Sequence, residues 1–346
     1  MGIDLKDKTV GELENIAVEM VQRGFLGGYI FHFIHAQNVS DISQITPLSK
    51  AFRQKLIEQG YFISRIVIAD KRVDKDKTAK YLFKLHDGQS IEAVLLRDDR
   101  RKTLCVSTQA GCDMGCVFCA TGRIKCQRNL TAGEIADQVN AVEADAGKIT
   151  NLVYMGMGEP LMNYSAVMKS VEILNHPEGK NIGIRHITIS TCGIIPMIEK
   201  LASEELHPRL AISLNAPGNE LRTRIMPINK QYPLDELIKA VKNYQATTRQ
   251  RVTFEYVMIK GLNGSPQYAR MLVKLLRNII CNVNLIEYNP HPDCKFKGSD
   301  SNVMKEFASI LNEAGIETVT RFRMGRKINA ACGQLGADWL RKAKEL

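Results

Sequence analysis

The chain has 346 residues, 45% of them hydrophobic, enough for one large core and a smaller appended unit. Its net charge of +10 favours an anionic partner, nucleic acid ahead of an acidic membrane surface, and no run of about 18 apolar residues predicts a transmembrane helix. Residues 1–6 read as no secretion signal, and nine scattered cysteines, an odd number, fit thiol or metal chemistry better than a disulfide scaffold, so a cytoplasmic protein is expected.

Residues 1–60 read as helical. Leu13, Ile16, Ala17, Met20 and Val21 recur at helical spacing with Gly24 as C-cap, and further helices follow over 31–35 and about 49–58. Between 64 and 97 the period becomes that of strands, and runs 81–85 and 91–96 flank His86-Asp87-Gly88, a hairpin turn signal. After residue 100, strand-like runs near 103–108, 151–156, 185–190, 209–214, 252–258, 282–287 and 316–322 alternate with helical patterns over 131–146, 163–175, 234–247, 266–278 and 300–314. Thr131 and Glu134 have capping-box spacing. The fold class is therefore α/β, a parallel sheet wound with helices, either a barrel or a doubly wound sheet.

Polar, glycine-rich segments follow these runs. The 112–119 loop follows the first, Gly156-Met157-Gly158-Glu159-Pro160 ends the second, and Ser190-Thr191-Cys192-Gly193 ends the third. Ser213-Leu214-Asn215 ends the fourth and Glu287-Tyr288-Asn289-Pro290 the sixth. Parallel βα folds place active sites at this carboxyl rim.

Cys112, Cys116 and Cys119 form a C-x3-C-x2-C loop. Three thiolates on one iron–sulfur cube leave one iron open to chelate the amino and carboxylate groups of a methionine-like ligand. A structural zinc site wants four protein ligands, and no nearby Cys or His completes such a set.

With the Gly156–Pro160 turn and Ala330-Ala331-Cys332-Gly333-Gln334-Leu335, this loop resembles the RlmN/Cfr family of radical S-adenosylmethionine RNA methyltransferases that act on adenine carbons. The likeness runs through nearly the whole chain, including Cys105-Val106-Ser107-Thr108-Gln109 and Met226-Pro227-Ile228-Asn229. It implies a partial (β/α)6-type barrel with an N-terminal helical domain and a β-hairpin. The corresponding divisions are a helical accessory domain at 1–60, a hairpin connector at 61–97, a radical S-adenosylmethionine core at 98–327, and a C-terminal segment at 328–346.

Adenine C2 is an electron-poor carbon and cannot attack a sulfonium methyl, so chemistry at this position calls for radical addition, which the cofactor supplies. By the resemblance, Cys332 carries the methyl group, Cys105 resolves the protein–RNA adduct through a disulfide, and Glu92 accepts the ring proton. Gly158, Glu159, Ser190, Ser213, Leu214, Asn215 and Asn289 would line the S-adenosylmethionine site, with Asn215 standing where histidine is usual. The implied cofactors are a [4Fe-4S] cluster on Cys112, Cys116 and Cys119 and two S-adenosylmethionine molecules per turnover. The implied partners are 23S rRNA, tRNA as a second substrate, and an electron donor such as flavodoxin.

Read from residues alone, Cys105 is a strand core residue, Glu92 a solvated strand face and Cys332 a small buried residue. Cys126, Cys192, Cys281 and Cys294 match no functional position. Three basic groups are expected beside the rim, where they could meet phosphates: Arg97, Arg100, Arg101 and Lys102; Arg123, Lys125 and Arg128; Arg321, Arg323, Arg326 and Lys327. Methylation at adenosine C8 is the nearest alternative, since Gly325-Arg326-Lys327-Ile328-Asn329 replaces an acidic stretch usual before the carrier cysteine. A non-enzymatic iron–sulfur RNA sensor and a radical enzyme acting on a peptide or metabolite are alternatives of other classes.

Overall fold

The computed structural model describes residues 2–291, 294–321 and 324–342. A two-residue strand β1 (Ile3–Asp4) opens the chain, and Thr9 and Glu12 then form a reciprocal capping box that starts α1 (Val10–Glu19). This helix ends earlier than its apolar spacing suggests. Val21 adopts φ +60°, turns the chain outward and is exposed, so Gly24 caps nothing. Next come α2 (Leu26–His35), α3 (Lys50–Glu58) and β2 (Tyr61–Phe62), which pairs in parallel with β1. Gly27 lets α2 cross close to α1, since a Cβ there would lie 2.3 Å from the Glu14 nitrogen.

Strands β3 (Val67–Val73), β4 (Ala79–Lys84) and β5 (Ser90–Arg97) form an antiparallel extension that joins β6 (Lys102–Cys105). The chain then alternates through α4 (Ala132–Ala146), β7 (Asn151–Tyr154), α5 (Tyr164–Asn175), β8 (Ile187–Thr191), α6 (Ile195–Leu201), β9 (Arg209–Ser213), α7 (Asn219–Ile225) and α8 (Leu234–Thr248). It continues through β10 (Val252–Met258), α9 (Pro266–Leu275), β11 (Cys281–Glu287), α10 (Ser301–Glu313), β12 (Glu317–Arg321) and α11 (Ala337–Lys342). Ten strands from β3 to β12 lie in one sheet in strict chain order, with β6 to β12 parallel. Among the described residues β12 pairs only with β11, so the barrel stays open.

The period-2 alternation of the strands separates two faces. On the helix side, Leu104, Leu152, Tyr154, Ile187, Ile189, Leu210, Ile212, Phe254, Tyr256, Val283 and Leu285 are all buried. On the opposite face the register aligns Cys105 with Val153, Ser190 with Ala211, and Ser213 with Glu255, which in turn aligns with Asn284. Most of these inner positions are polar or half-exposed. The apolar side fixes the sheet; the polar side is left to line a site.

The N-terminal helices dock through α4. The buried Lys6 ammonium pairs with Asp137 at 2.5 Å, and the same carboxylate accepts from the Ile66 nitrogen at 2.7 Å. One apolar core runs continuously from Leu5 to Leu335.

Candidate functional site

Beyond β6 the chain makes a doubled loop. Gln127 N donates to Ala110 O (2.8 Å), Ala110 N to Arg128 O (3.0 Å) and Cys112 N to Ile124 O (2.9 Å), so 110–112 and 124–128 lie side by side. Gly111 makes this approach possible: its φ is +101°, and a Cβ would lie 2.3 Å from Lys125 O. Cys119 N folds back on Cys116 O (3.1 Å), and Val117 N fastens the loop to α7 through Ile225 O (3.0 Å).

Burial pushes the Cys112 thiol up to about 12 and the Cys116 thiol well above its ordinary value, and Cys112, Cys116 and Cys119 lie close enough for repulsion between thiolates to add to this. Burial raises Cys119 as well. Such thiols surrender their protons to a strongly binding cation rather than to water. Among the described residues no three donors converge as a single ion requires. Thiolates that each bind a different iron of one cluster have no need to converge, so the donor set fits a cluster better than zinc.

The turn after β7 is built by contact. A Cβ at Gly156 would lie 2.6 Å from Val106 O, and one at Gly158, whose φ is +100°, would lie 2.6 Å from Gln109 Cβ. The Glu159 carboxylate accepts from Leu161 N (3.1 Å) and Cys192 N (2.8 Å), tying the end of β7 to the end of β8, and burial raises its pKa. Its expected contact with a ligand ammonium is thus limited to its remaining lone pairs. Ser190 and Ser213 stand half-buried on the inner face, and Leu214 N donates to Glu255 O (3.0 Å). Asn215 adopts φ +60°, accepts from Val257 N (2.8 Å) and donates to the Met226 sulfur (3.2 Å). Its side chain is committed to the fold, which suits a contact made by backbone, and asparagine tolerates this left-handed conformation.

Cys332 lies in a tight turn just before α11. Ala120 N donates to Gly333 O (2.8 Å) and the Thr121 hydroxyl to Leu335 O (2.8 Å), stacking this turn on the cysteine loop. From the other side, the Asn289 amide donates to Cys332 O (3.0 Å) and the Gln334 amide to Pro290 O (2.7 Å). The residue is exposed at the site mouth, yet enough protein surrounds its sulfur to push the thiol up to about 12, with Cys119 and Glu255 adding and Arg321 opposing. Cys105, on the inner face of β6, is likewise pushed to about 12, by burial first and then by the nearby Cys332. Cys332 thus lies within electrostatic range of both Cys105 and Cys119.

Glu92 lies on β5 but is no solvated residue. It is 2% exposed, pairs with the buried Lys80 ammonium at 3.1 Å and accepts from Gly336 N at 2.9 Å. Burial raises its pKa while Lys80 opposes. Lys80 also meets Asp338 at 2.8 Å, so the β4–β5 hairpin holds the segment that carries Cys332.

The Radical SAM superfamily pattern matches residues 106–272. A probable dual-specificity RNA methyltransferase RlmN from Thermoanaerobacter sp. is 46% identical over 98% of this chain and 99% of its own. A dual-specificity RNA methyltransferase RlmN from Syntrophobacter fumaroxidans is 42% identical over 97% of this chain and 98% of its own. The chain belongs to the RlmN family of radical S-adenosylmethionine RNA methyltransferases. The crystal structure of a radical SAM methyltransferase from Sphaerobacter thermophilus superposes with a TM-score of 0.90 at 41% identity, covering 97% of this chain and 99% of that one. Membership implies a [4Fe-4S] cluster and S-adenosylmethionine, and no described helix is long and apolar enough to cross a membrane.

The basic groups divide. Arg97 pairs with Lys102 in register at the amino end of β6, so Arg97, Arg100, Arg101 and Lys102 lie at the end of the sheet opposite the rim, against expectation. The strand periodicity was legible, but a group preceding a strand is carried one strand length from the group following it. Arg128 reaches the rim, but Asp87 and Glu134 hold it in ion pairs. Arg123 and Lys125 are exposed there, and Arg321 sits by Cys332. Arg323 and the Arg326 side chain lie outside the described residues. Lys80, Glu255 and Arg222 are marked out by burial alone, and a charged residue in an amphipathic pattern carries no sign of it in the sequence.

Proposed function

We propose that the chain methylates C2 of adenosine in 23S rRNA and in tRNA, with Cys332 as methyl carrier and Cys105 as resolving cysteine. The observation that carries this reading is the fastening of the Cys332 turn between the cysteine loop and the end of β11, with the Cys105 thiol within electrostatic range of Cys332. Cys112, Cys116 and Cys119 would hold the cluster, and Gly158, Glu159, Ser190, Ser213, Leu214, Asn215 and Asn289 the S-adenosylmethionine. Bound there, these groups supply a methyl cation equivalent in one half of the cycle and a hydrogen-abstracting radical in the other, two S-adenosylmethionine molecules per product, with an external one-electron donor such as flavodoxin.

The protein's part is to present sulfur. Arg321 favours the Cys332 thiolate against desolvation, and the Asn289 and Gln334 amides hold the turn at the cavity mouth. Glu92, kept from full neutralisation by Lys80, is the proposed acceptor of the ring proton. The Cys105 thiolate then attacks the Cys332 sulfur; the electron pair of the broken carbon–sulfur bond goes to the product carbon, which takes up a proton to complete the methyl group, and the disulfide left on the protein is reopened by a thiol reductant. The helical residues 1–60 are assigned to gripping folded RNA and the hairpin to bracing the carrier segment. An rRNA substrate places the work in the cytoplasm.

The test is incubation of anaerobically reconstituted protein with methyl-labelled S-adenosylmethionine and RNA. Label on the Cys332 peptide, passing to 2-methyladenosine identified by mass spectrometry, supports the proposal. Label at C8, or 5′-deoxyadenosine formed with none on Cys332, overturns it.

A further inference from the structure

Arg222, on α7, is fully buried at 0% exposure. Its guanidinium donates to Cys192 O (2.6 Å), Leu214 O (3.2 Å), Ser213 O (3.3 Å) and Asn229 Oδ1 (2.9 Å). Every one of these acceptors is neutral, and among the described residues Arg222 enters no ion pair. A buried charge without a counter-charge is costly, and folds retain one where a negative group completes the site.

Two such groups lie close. The carboxylate of Glu159 accepts from the N–H of Cys192, the residue whose carbonyl takes Arg222, so the two charges sit across one residue's backbone. The other is the cysteine loop itself: Val117 N bonds to Ile225 O on α7 at 3.0 Å, one turn along the helix from Arg222, and a Cβ at Gly115 would touch Pro227 Cγ at 3.6 Å. Thiolates carrying a cluster are anionic, and the site gains a further negative charge when the cluster is reduced. Net charge and hydrogen bonding around such clusters set their potentials.

We propose that Arg222 is the fixed cation of the cluster site, a positioning residue whose buried guanidinium offsets the Glu159 carboxylate and the cysteine thiolates and so favours the reduced cluster. The inference rests on the cluster reading above. It concerns a residue that touches no substrate, so activity alone does not test it.

The experiment compares full-length wild type with Arg222→Met, Asn229→Asp and Arg222→Lys, each reconstituted anaerobically, assayed for iron and sulfide, and titrated reductively by electron paramagnetic resonance without S-adenosylmethionine or RNA. Arg222→Met is expected to lower the reduced-to-oxidised ratio at fixed potential about tenfold, a midpoint shift of about 59 mV for one electron. Asn229→Asp places a carboxylate against the same guanidinium and is expected to shift the midpoint in the same direction, while Arg222→Lys keeps the charge and stays within about threefold of wild type. A purely structural Arg222 would lower the melting temperature of the Lys and Met variants alike and leave the midpoint in place, which overturns the inference. If the Met variant loads no cluster, Asn229→Asp decides, because the guanidinium and its carbonyl bonds remain. A wild type that loads no [4Fe-4S] cluster overturns the functional reading and this inference together; a loaded wild type with unmoved variants overturns this inference alone.

Discussion

The two faces of the parallel sheet are made from alternate residues of the same strands, yet they obey different rules. The helix-side face is apolar and closed; Ile212 and Tyr154 are completely buried there. The inner face places Cys105, Ser190, Ser213 and Glu255 along a half-open wall. The lesson is that stability and chemistry are assigned here by the pleat, one residue to each, so they can be perturbed separately.

The sharpest way to break that comparison is at the sulfur atoms. Cys332→Ala is expected to reduce formation of methylated nucleoside to background while changing the unfolding free energy by less than about 0.5 kcal/mol, because the residue is exposed. Cys105→Ala leaves the first methyl transfer intact and strands the product, so a covalent protein–RNA species should accumulate on denaturing gels. A clean turnover by either variant would refute the division of roles. The opposite face should answer in the opposite currency: Ile212→Ala is expected to cost about 2–5 kcal/mol in urea unfolding, with normal turnover by the fraction that remains folded.

A smaller effect comes from the N-terminal helices. His35 is fully buried, and desolvation, with Lys6 and Lys180 nearby, lowers its pKa from 6.5 to about 3. The unfolded chain therefore binds a proton on this group that the folded chain refuses. The associated stability is present above pH 6.5 and falls by about 1.4 kcal/mol per unit as pH drops towards the folded value. Urea melts at pH 7.5 and 5.5 should show that loss in wild type and a reduced one in His35→Leu. The smallest change is expected at Asn289→Ala, which removes one hydrogen bond to Cys332 O, worth about 1 kcal/mol. Iodoacetamide should then alkylate Cys332 faster, and methyl transfer to it should slow severalfold.

Much of this was readable in advance where the signal is periodic or local. The strand runs, the capping box at Thr131 and the cysteine loop each depend on neighbours a few residues away, and the helix over Ala132–Ala146 begins as expected with a reciprocal bond between Thr131 and Glu134. Glu92 reads from its residue alone as a solvated strand face, its catalytic role coming only from the resemblance, because its burial is made by Lys80 on the adjacent strand and by Gly336 far along the chain. Arg222 gave no sign at all: its acceptors are carbonyls, and a carbonyl belongs to every residue. The end of α1 was missed for a different reason, since Met20 and Val21 continue the apolar spacing while the backbone at Val21 has already reversed.

Strict chain order in the sheet carries a consequence for how the open barrel is held together. Each strand pairs with the one before it in the chain, and from β6 to β12 each pairing closes a crossover that carries at least one helix. The turn bearing Cys332 follows the last strand in the chain and bonds back to Ala120 and Thr121, which follow β6, the first parallel strand of that sheet. The gap between the β6 and β12 ends of the parallel sheet is therefore spanned at the rim by this turn and not by strand pairing.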